Sequence, residues 1–230
     1  MNDLLETPLF GILLSLVAFE VGTLIGKKTR LAIMNPLLIA NVLIVAFLLL
    51  TGIKLETYDI GGRYISCFLG PATVVLALPL YRQISKLKTN WFPILCGIAL
   101  GSLACMVFVV LSAKLLGFSQ ELIVSLLPKS ITTPMGIEVA RQLGGNPSIA
   151  VAGIVATGIS GAIMGPAVCK VFKITDAVAK GISAGTASHA IGTSRAMEFG
   201  EVQGAMASLS IGIAGVFTSI VAPFLIRILA

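Results

Sequence analysis

The chain has 230 residues, of which 57% are hydrophobic and only 11% charged, and its mean hydropathy is +1.02. Soluble domains carry roughly 25% charged residues, so a water-soluble globular fold is excluded and an integral membrane protein is implied. The net charge of +6 would suggest a nucleic-acid partner in a soluble protein, but here the cations sit in short loops between apolar runs, and no nucleic-acid partner is expected.

A helix crossing roughly 30 Å of hydrocarbon needs about 20 apolar residues. Asp3 and Glu6 stand before the first such run, where a secretory signal would carry positive charge, so the first helix is expected to stay in the mature protein. The runs are Pro8–Ile25, interrupted only by Glu20, then Pro36–Ile53, Tyr64–Tyr81, Trp91–Ala113, Pro147–Cys169 and Gln203–Ile226. They predict six transmembrane helices. Between and after the fourth and fifth runs lie two polar islands, Pro128–Arg141 (PKSITTPMGIEVAR) and Lys180–Glu201 (KGISAGTASHAIGTSRAMEFGE). The expected fold class is therefore an all-α polytopic membrane protein. It has six clear transmembrane helices and two broken or re-entrant polar hairpins, in one domain covering residues 1–230.

Lys27, Lys28 and Arg30 follow the first run, and Arg82, Lys86 and Lys88 follow the third. Two crossings separate these clusters, so both can face the cytoplasm, which puts the N-terminus outside. If the first island crossed the membrane, Lys170, Lys173 and Lys180 would end up outside. If it dips in and returns, they stay inside, and the charge bias favours that arrangement, with the second island entering from the opposite side. Non-helical backbone at this depth survives only where protein or water satisfies it, so two opposed hairpins would meet around a polar chamber. Shifting the sequence by 57 residues superposes Lys129 on Thr186, Thr132 on His189, Gly158 on Gly215 and Gly165-Pro166 on Ala222-Pro223. This is the pattern of an inverted repeat.

Polar residues at membrane depth mark pathways or binding sites. Lys129 and Arg195 flank the expected breaks and can balance a small anion, with hydroxyl donors from Ser130, Thr132, Thr133, Thr186, Ser188, Thr193 and Ser194. Broken-helix N-termini would add free N–H groups and a positive dipole end. A carboxylate is the simplest ligand of such a set. The alternative for both cations is snorkelling to lipid phosphates. His189, the only histidine, either binds substrate or shuttles a proton, or is a hydrogen-bonded structural donor. Glu138, Glu198 and Glu201 are expected to pair at the surface with Arg141 and Arg195. Pro128, Pro134 and Gly192 at the breaks, with Asn35, Asn41 and Pro71 in the second and third runs, are second-rank pathway candidates. The four cysteines lack the spacing of a metal site or disulfide framework and read as packing residues. No zinc, nucleophile-elbow, P-loop or dinucleotide motif is present, so neither an enzyme, a metal nor a cofactor is expected.

The runs FLGPATVVLALPLY (Phe68–Tyr81), LLPKSITTPMGIEVARQLGGNPS (Leu126–Ser148) and GTASHAIGTSRAMEFGEVQGAMASL (Gly185–Leu209) resemble the signature blocks of the LrgB/CidB membrane proteins, a family that includes a plastid glycolate and glycerate translocator. The resemblance implies a multi-pass protein of the bacterial inner membrane. Two functions follow from it. One is movement of small monocarboxylates such as glycolate, glycerate or pyruvate, with a small LrgA/CidA-type membrane protein as partner in a homo- or hetero-oligomer. The other is holin- or antiholin-like regulation of murein hydrolase export and lysis. The polar islands favour the first, because a pore regulator needs no substrate chemistry.

Overall fold

A computed structural model of the chain describes residues 7–29, 34, 36–68, 71, 81, 88–89 and 91–229. All regular structure among them is helical, in two compact units, Met1–Val75 and Leu76–Ala230.

The N-terminal unit holds α1 (Pro8–Thr29), α2 (Pro36–Thr51) and α3 (Leu55–Ser66). Gly11 and Gly61 let α1 and α3 touch backbone to backbone, since a Cβ on either would collide with the other helix. Ser15 and Tyr58 close the same contact with a 2.8 Å hydrogen bond. The structure corrects two expectations here. The second apolar run is a 16-residue helix, shorter than a straight span requires. Tyr64, expected to begin the third span, lies instead in the last turn of α3, a helix carrying Glu56, Asp59 and Arg63. Residues 69–70 and 72–80 of that run lie outside the described residues, as do Asn35, Arg30, Arg82 and Lys86.

The larger unit contains α4 (Trp91–Leu115), α5 (Gln120–Leu126), α6 (Thr133–Gln142), α7 (Pro147–Val171), α8 (Ala177–Phe199) and α9 (Glu201–Leu229). Among the described residues of the whole chain, α1, α4, α7 and α9 are long and apolar enough to cross a membrane. Helix starts follow the local sequence. Ser119 caps α5 by accepting from Leu122 N, Asn146 caps α7 ahead of Pro147, and Asp176 caps α8 by accepting from Ala179 N at 2.8 Å.

Both polar islands fold back on themselves. The carbonyl of Pro128, in the turn after α5, faces Gly136 of α6. The segment after α6 comes back to the last turn of α5, where Asn146 N donates to Ser125 Oγ at 2.7 Å. So the chain turns back on itself at residues 127–132. In α8 the helical dihedrals fail at Ser188 (φ −134°, ψ 18°) and His189 (φ 42°, ψ −134°). Beyond that break Gly192 packs against the carbonyl of Ala184. In a continuous helix residues eight apart are about 12 Å apart, so the chain has reversed. The first arm, residues 177–187, then runs alongside the start of α9, with Gly181 against Gln203 and Gly185 against Ala207, while Met197 of the returning arm meets Gly204.

Two apolar clusters hold the unit together. Ile94 and Ile98 of α4 pack on Ala205, Met206 and Ala214, whereas Met106, Val110 and Ala113 pack on Ile123, Leu127, Ile131 and Val139 with Ala222 and Leu225 of α9.

Candidate functional site

The seams of α4 with the two hairpins fix where their tips lie. Gly97 and Gly101 of α4 face Ile182 and Thr186 in step, so α4 and the first arm of α8 run parallel from the N-terminal end of α4. The α5–α6 hairpin comes from the other end. Its tip reaches Cys105, which takes a contact from Lys129 Nζ at 3.4 Å and shares a hydrogen bond with Ser130 Oγ at 3.1 Å. The two reversals therefore approach each other from opposite ends of α4 and stop one helical turn apart, near its middle.

Between them is a cavity of about 1640 Å³. Lys129 and Ser130 line one end, Thr186 and Ser188 the opposing tip, and Thr157, Ser160 and Gly161 of α7 a side wall. Towards the loop joining α7 to α8 the lining carries Lys170, Lys173, Lys180 and Arg195, with Asp176 as the one carboxylate among the described residues there. Five cations against one acid make this a space that attracts anions. Lys129 has no carboxylate partner among the described residues, whereas Arg195 is shared, since it pairs with Glu198 and stacks 5.0 Å over Phe199.

The structure brings together only part of the expected site. Lys129, Ser130, Thr186, Ser188, Gly192 and Arg195 line the cavity. His189 does not. Its ring is buried, and Nε2 bonds the carbonyl oxygen of Ile154 on α7 at 3.0 Å, while Gly158 leaves room for the imidazole and Gly161 for Ser188. The bond pins the second tip to α7. Thr193 is fully buried and spends its hydroxyl on His189 O at 2.9 Å. Ser194 is exposed and bonds Ala190 O. Thr132 caps α6 without a side-chain bond and Thr133 follows it, and neither lines the cavity. Pro128 is buried in the first tip, and Pro134 is exposed in the first turn of α6. Asn41 is exposed on α2 of the N-terminal unit and Pro71 is exposed, so neither is among the lining residues. Glu138 pairs with Arg141 at 3.1 Å, on the surface as expected.

Sequence reasoning missed the walls. Gly97, Gly101 and Cys105 on α4, and Thr157, Gly161 and Gly165 on α7, recur every four residues, which puts each set on one helix face, with Ser160 beside the second. That periodicity was the available signal, but small residues at such spacing equally mark close helix packing.

Residues 15–228 match the sequence model of the LrgB-like family. The chain is similar to a protein described as antiholin-like protein LrgB from Bacillus mycoides (strain KBAB4), with 38% identity over 218 residues, covering 94% of this chain and 95% of the relative. Proteins of the same description from Bacillus cereus (strain B4264) and Bacillus anthracis (strain CDC 684 / NRRL 3495) align with the same identity and coverage. No solved structure matches the chain.

Proposed function

The chain belongs to the LrgB-like family, and we propose that it acts there as a permease or facilitator for small monocarboxylates. The observation that carries this reading is the meeting of two chain reversals at a cavity lined by five cations, with an unshared ammonium, Lys129, at its inner end. A carboxylate entering from the lysine-rich mouth passes Arg195 and reaches Lys129 and Ser130. In this reading α1, α4, α7 and α9 cross the membrane, and the hairpins are re-entrant from opposite faces. The N-terminus lies outside, in the bacterial inner membrane.

Reciprocal contacts support an inverted repeat of α5–α7 and α8–α9. Gly158 of α7 receives His189 and Ile191 from the second hairpin, and Gly215 of α9, which is Gly158 shifted by 57 residues, receives Met135 from the first. Pro166 and Pro223 stand at matching positions, 57 residues apart, inside α7 and α9. Two such halves rocking about a shared site is how many secondary transporters alternate access. A small LrgA/CidA-type membrane protein is the partner this reading expects.

The relatives' description as antiholin-like favours a second reading, regulation of lysis, more directly than it favours transport. The two differ in whether a saturable anion site exists. Uptake of labelled glycolate, glycerate, pyruvate and lactate into proteoliposomes, with and without the small partner, separates them. Lys129→Gln removes a charged hydrogen bond worth about 1.5–3 kcal/mol, so saturable uptake should need roughly 10- to 150-fold more substrate. Arg195→Gln should cost less, because Glu198 already takes part of that charge. Absence of saturable flux in the wild type under both conditions, or unchanged uptake by Lys129→Gln, would leave lysis regulation as the better account.

A further inference from the structure

Two buried hydroxyls of the larger unit, Ser102 Oγ on α4 and Thr186 Oγ1 on the first arm of α8, have no hydrogen-bond partner among the described residues. Ser102 is 3% exposed and Thr186 7%. Serines and threonines inside helices ordinarily avoid this state by bonding the carbonyl four residues back, as Ser112, Ser160, Thr193 and Ser210 do here. The Thr186 methyl lies against Gly101, and Ile98 and Ile182, one turn before Ser102 and Thr186, pack in the same apolar cluster, so the two hydroxyls stand at the same level of the seam of α4 with α8. On α4, Ser102 stands between Ile98 of one apolar cluster and Met106 of the other, which makes the seam a polar layer between two greasy ones.

Two residues after Thr186 the helix breaks at Ser188 and His189. The break ends the first arm there, so carbonyls of its last turn lose their onward helical partners and stand at the negative end of that arm's dipole. Buried hydroxyls beside the freed carbonyls of a broken helix are hard, neutral oxygen donors of the kind that coordinate Na⁺ in membrane proteins. Neither α4 nor the first arm of α8 carries an Asp or Glu. The two helices of the seam thus offer no carboxylate to balance a divalent charge.

We propose that Thr186, Ser102 and the free carbonyls at the α8 break bind a sodium ion. Nearby cations oppose a lone Na⁺, and a carboxylate in the cavity relieves that opposition. Where the permease reading holds, sodium and carboxylate thus raise each other's affinity by the same factor. The ion site itself needs no substrate, so its test is independent of transport.

The full chain, purified in detergent, is heated in choline chloride progressively replaced by NaCl at constant ionic strength, and loss of its monodisperse size-exclusion peak gives a Tm. Na⁺ should raise the wild-type Tm saturably, by about 2–5 °C, and KCl should not. Thr186→Val and Ser102→Ala should abolish the rise, whereas Thr186→Ser, which keeps the hydroxyl, should retain it. A wild-type Tm indifferent to Na⁺, an equal rise with K⁺, or a rise persisting in both hydroxyl-deleted variants would overturn the assignment. Should those variants lose the peak before heating, the wild-type salt comparison and Thr186→Ser decide the matter. Sodium stabilisation without carboxylate flux would sink only the permease; flux without sodium stabilisation would sink only this site.

Discussion

Replacing Gly185 by alanine tests the fold-back of α8, on which the cavity depends. A Cβ at Gly185 would lie 2.8 Å from both Cα and C of Ala207, and these are backbone atoms that no rotamer change can move. Carbon atoms prefer about 3.5–4.0 Å, so the first arm would have to withdraw from α9 by roughly 1 Å. Overpacking of this kind costs about 1–3 kcal/mol. Gly212 on α9 is the internal control, because no heavy atom stands within 4 Å of its would-be Cβ. There alanine adds only helix propensity, about 0.5–1 kcal/mol. With about 2–4 °C of Tm per kcal/mol, Gly185→Ala should lower Tm by about 2–12 °C and Gly212→Ala should raise it by about 1–4 °C, both read by thermal unfolding of the purified protein. The sign difference carries the structural information. Were α8 a straight helix antiparallel to α9, Gly185 would sit roughly 12 Å further along α9 than Ala207, and alanine would be accommodated. A Gly185→Ala protein as stable as the wild type would refute the reversal, and the opposed tips with it.

The proposed orientation predicts that, in a Cys-free background, single cysteines at Thr89 and Thr175 resist an impermeant thiol reagent added outside intact cells while one at Leu116 reacts; labelling at 175 with protection at 89 would mean that the first hairpin crosses fully. His189 holds φ 42° and ψ −134°, a region that costs a non-glycine residue about 1–3 kcal/mol, and it is repaid by the bond to Ile154 O. His189→Gly relaxes the backbone that His189→Ala leaves strained. Both should therefore lower the Tm, the alanine variant further, and equal losses would remove backbone strain from the account.

What could be read from residues alone follows from terms that depend on composition within a short window. Transfer into hydrocarbon is close to additive over about 20 residues, so Trp91–Ala113, Pro147–Cys169 and Gln203–Ile226 foretold α4, α7 and α9 within a few residues. The islands around Lys129 and His189 announced themselves because Ser, Thr, Lys and His are expensive at that depth. Which side chains face the cavity was not legible. Thr186 and Thr193 look alike in sequence, yet Thr193 turns its hydroxyl onto His189 O while Thr186 stands over the cavity wall unpaired. A glycine, likewise, can serve close approach or open space. Gly158 makes room for the His189 ring and Gly165 faces emptiness, and only the neighbouring helix decides between them. The chain reversal at Ser188 and His189 is tertiary for the same reason. No residue there prefers a left-handed backbone as glycine does, and the conformation is held by contacts with α7, thirty-five residues away in the chain. Length and apolar content thus determined by themselves that this chain crosses a membrane and where it is polar within it, whereas the meeting of the two polar tips was decided by long-range packing, which no local window of sequence contains.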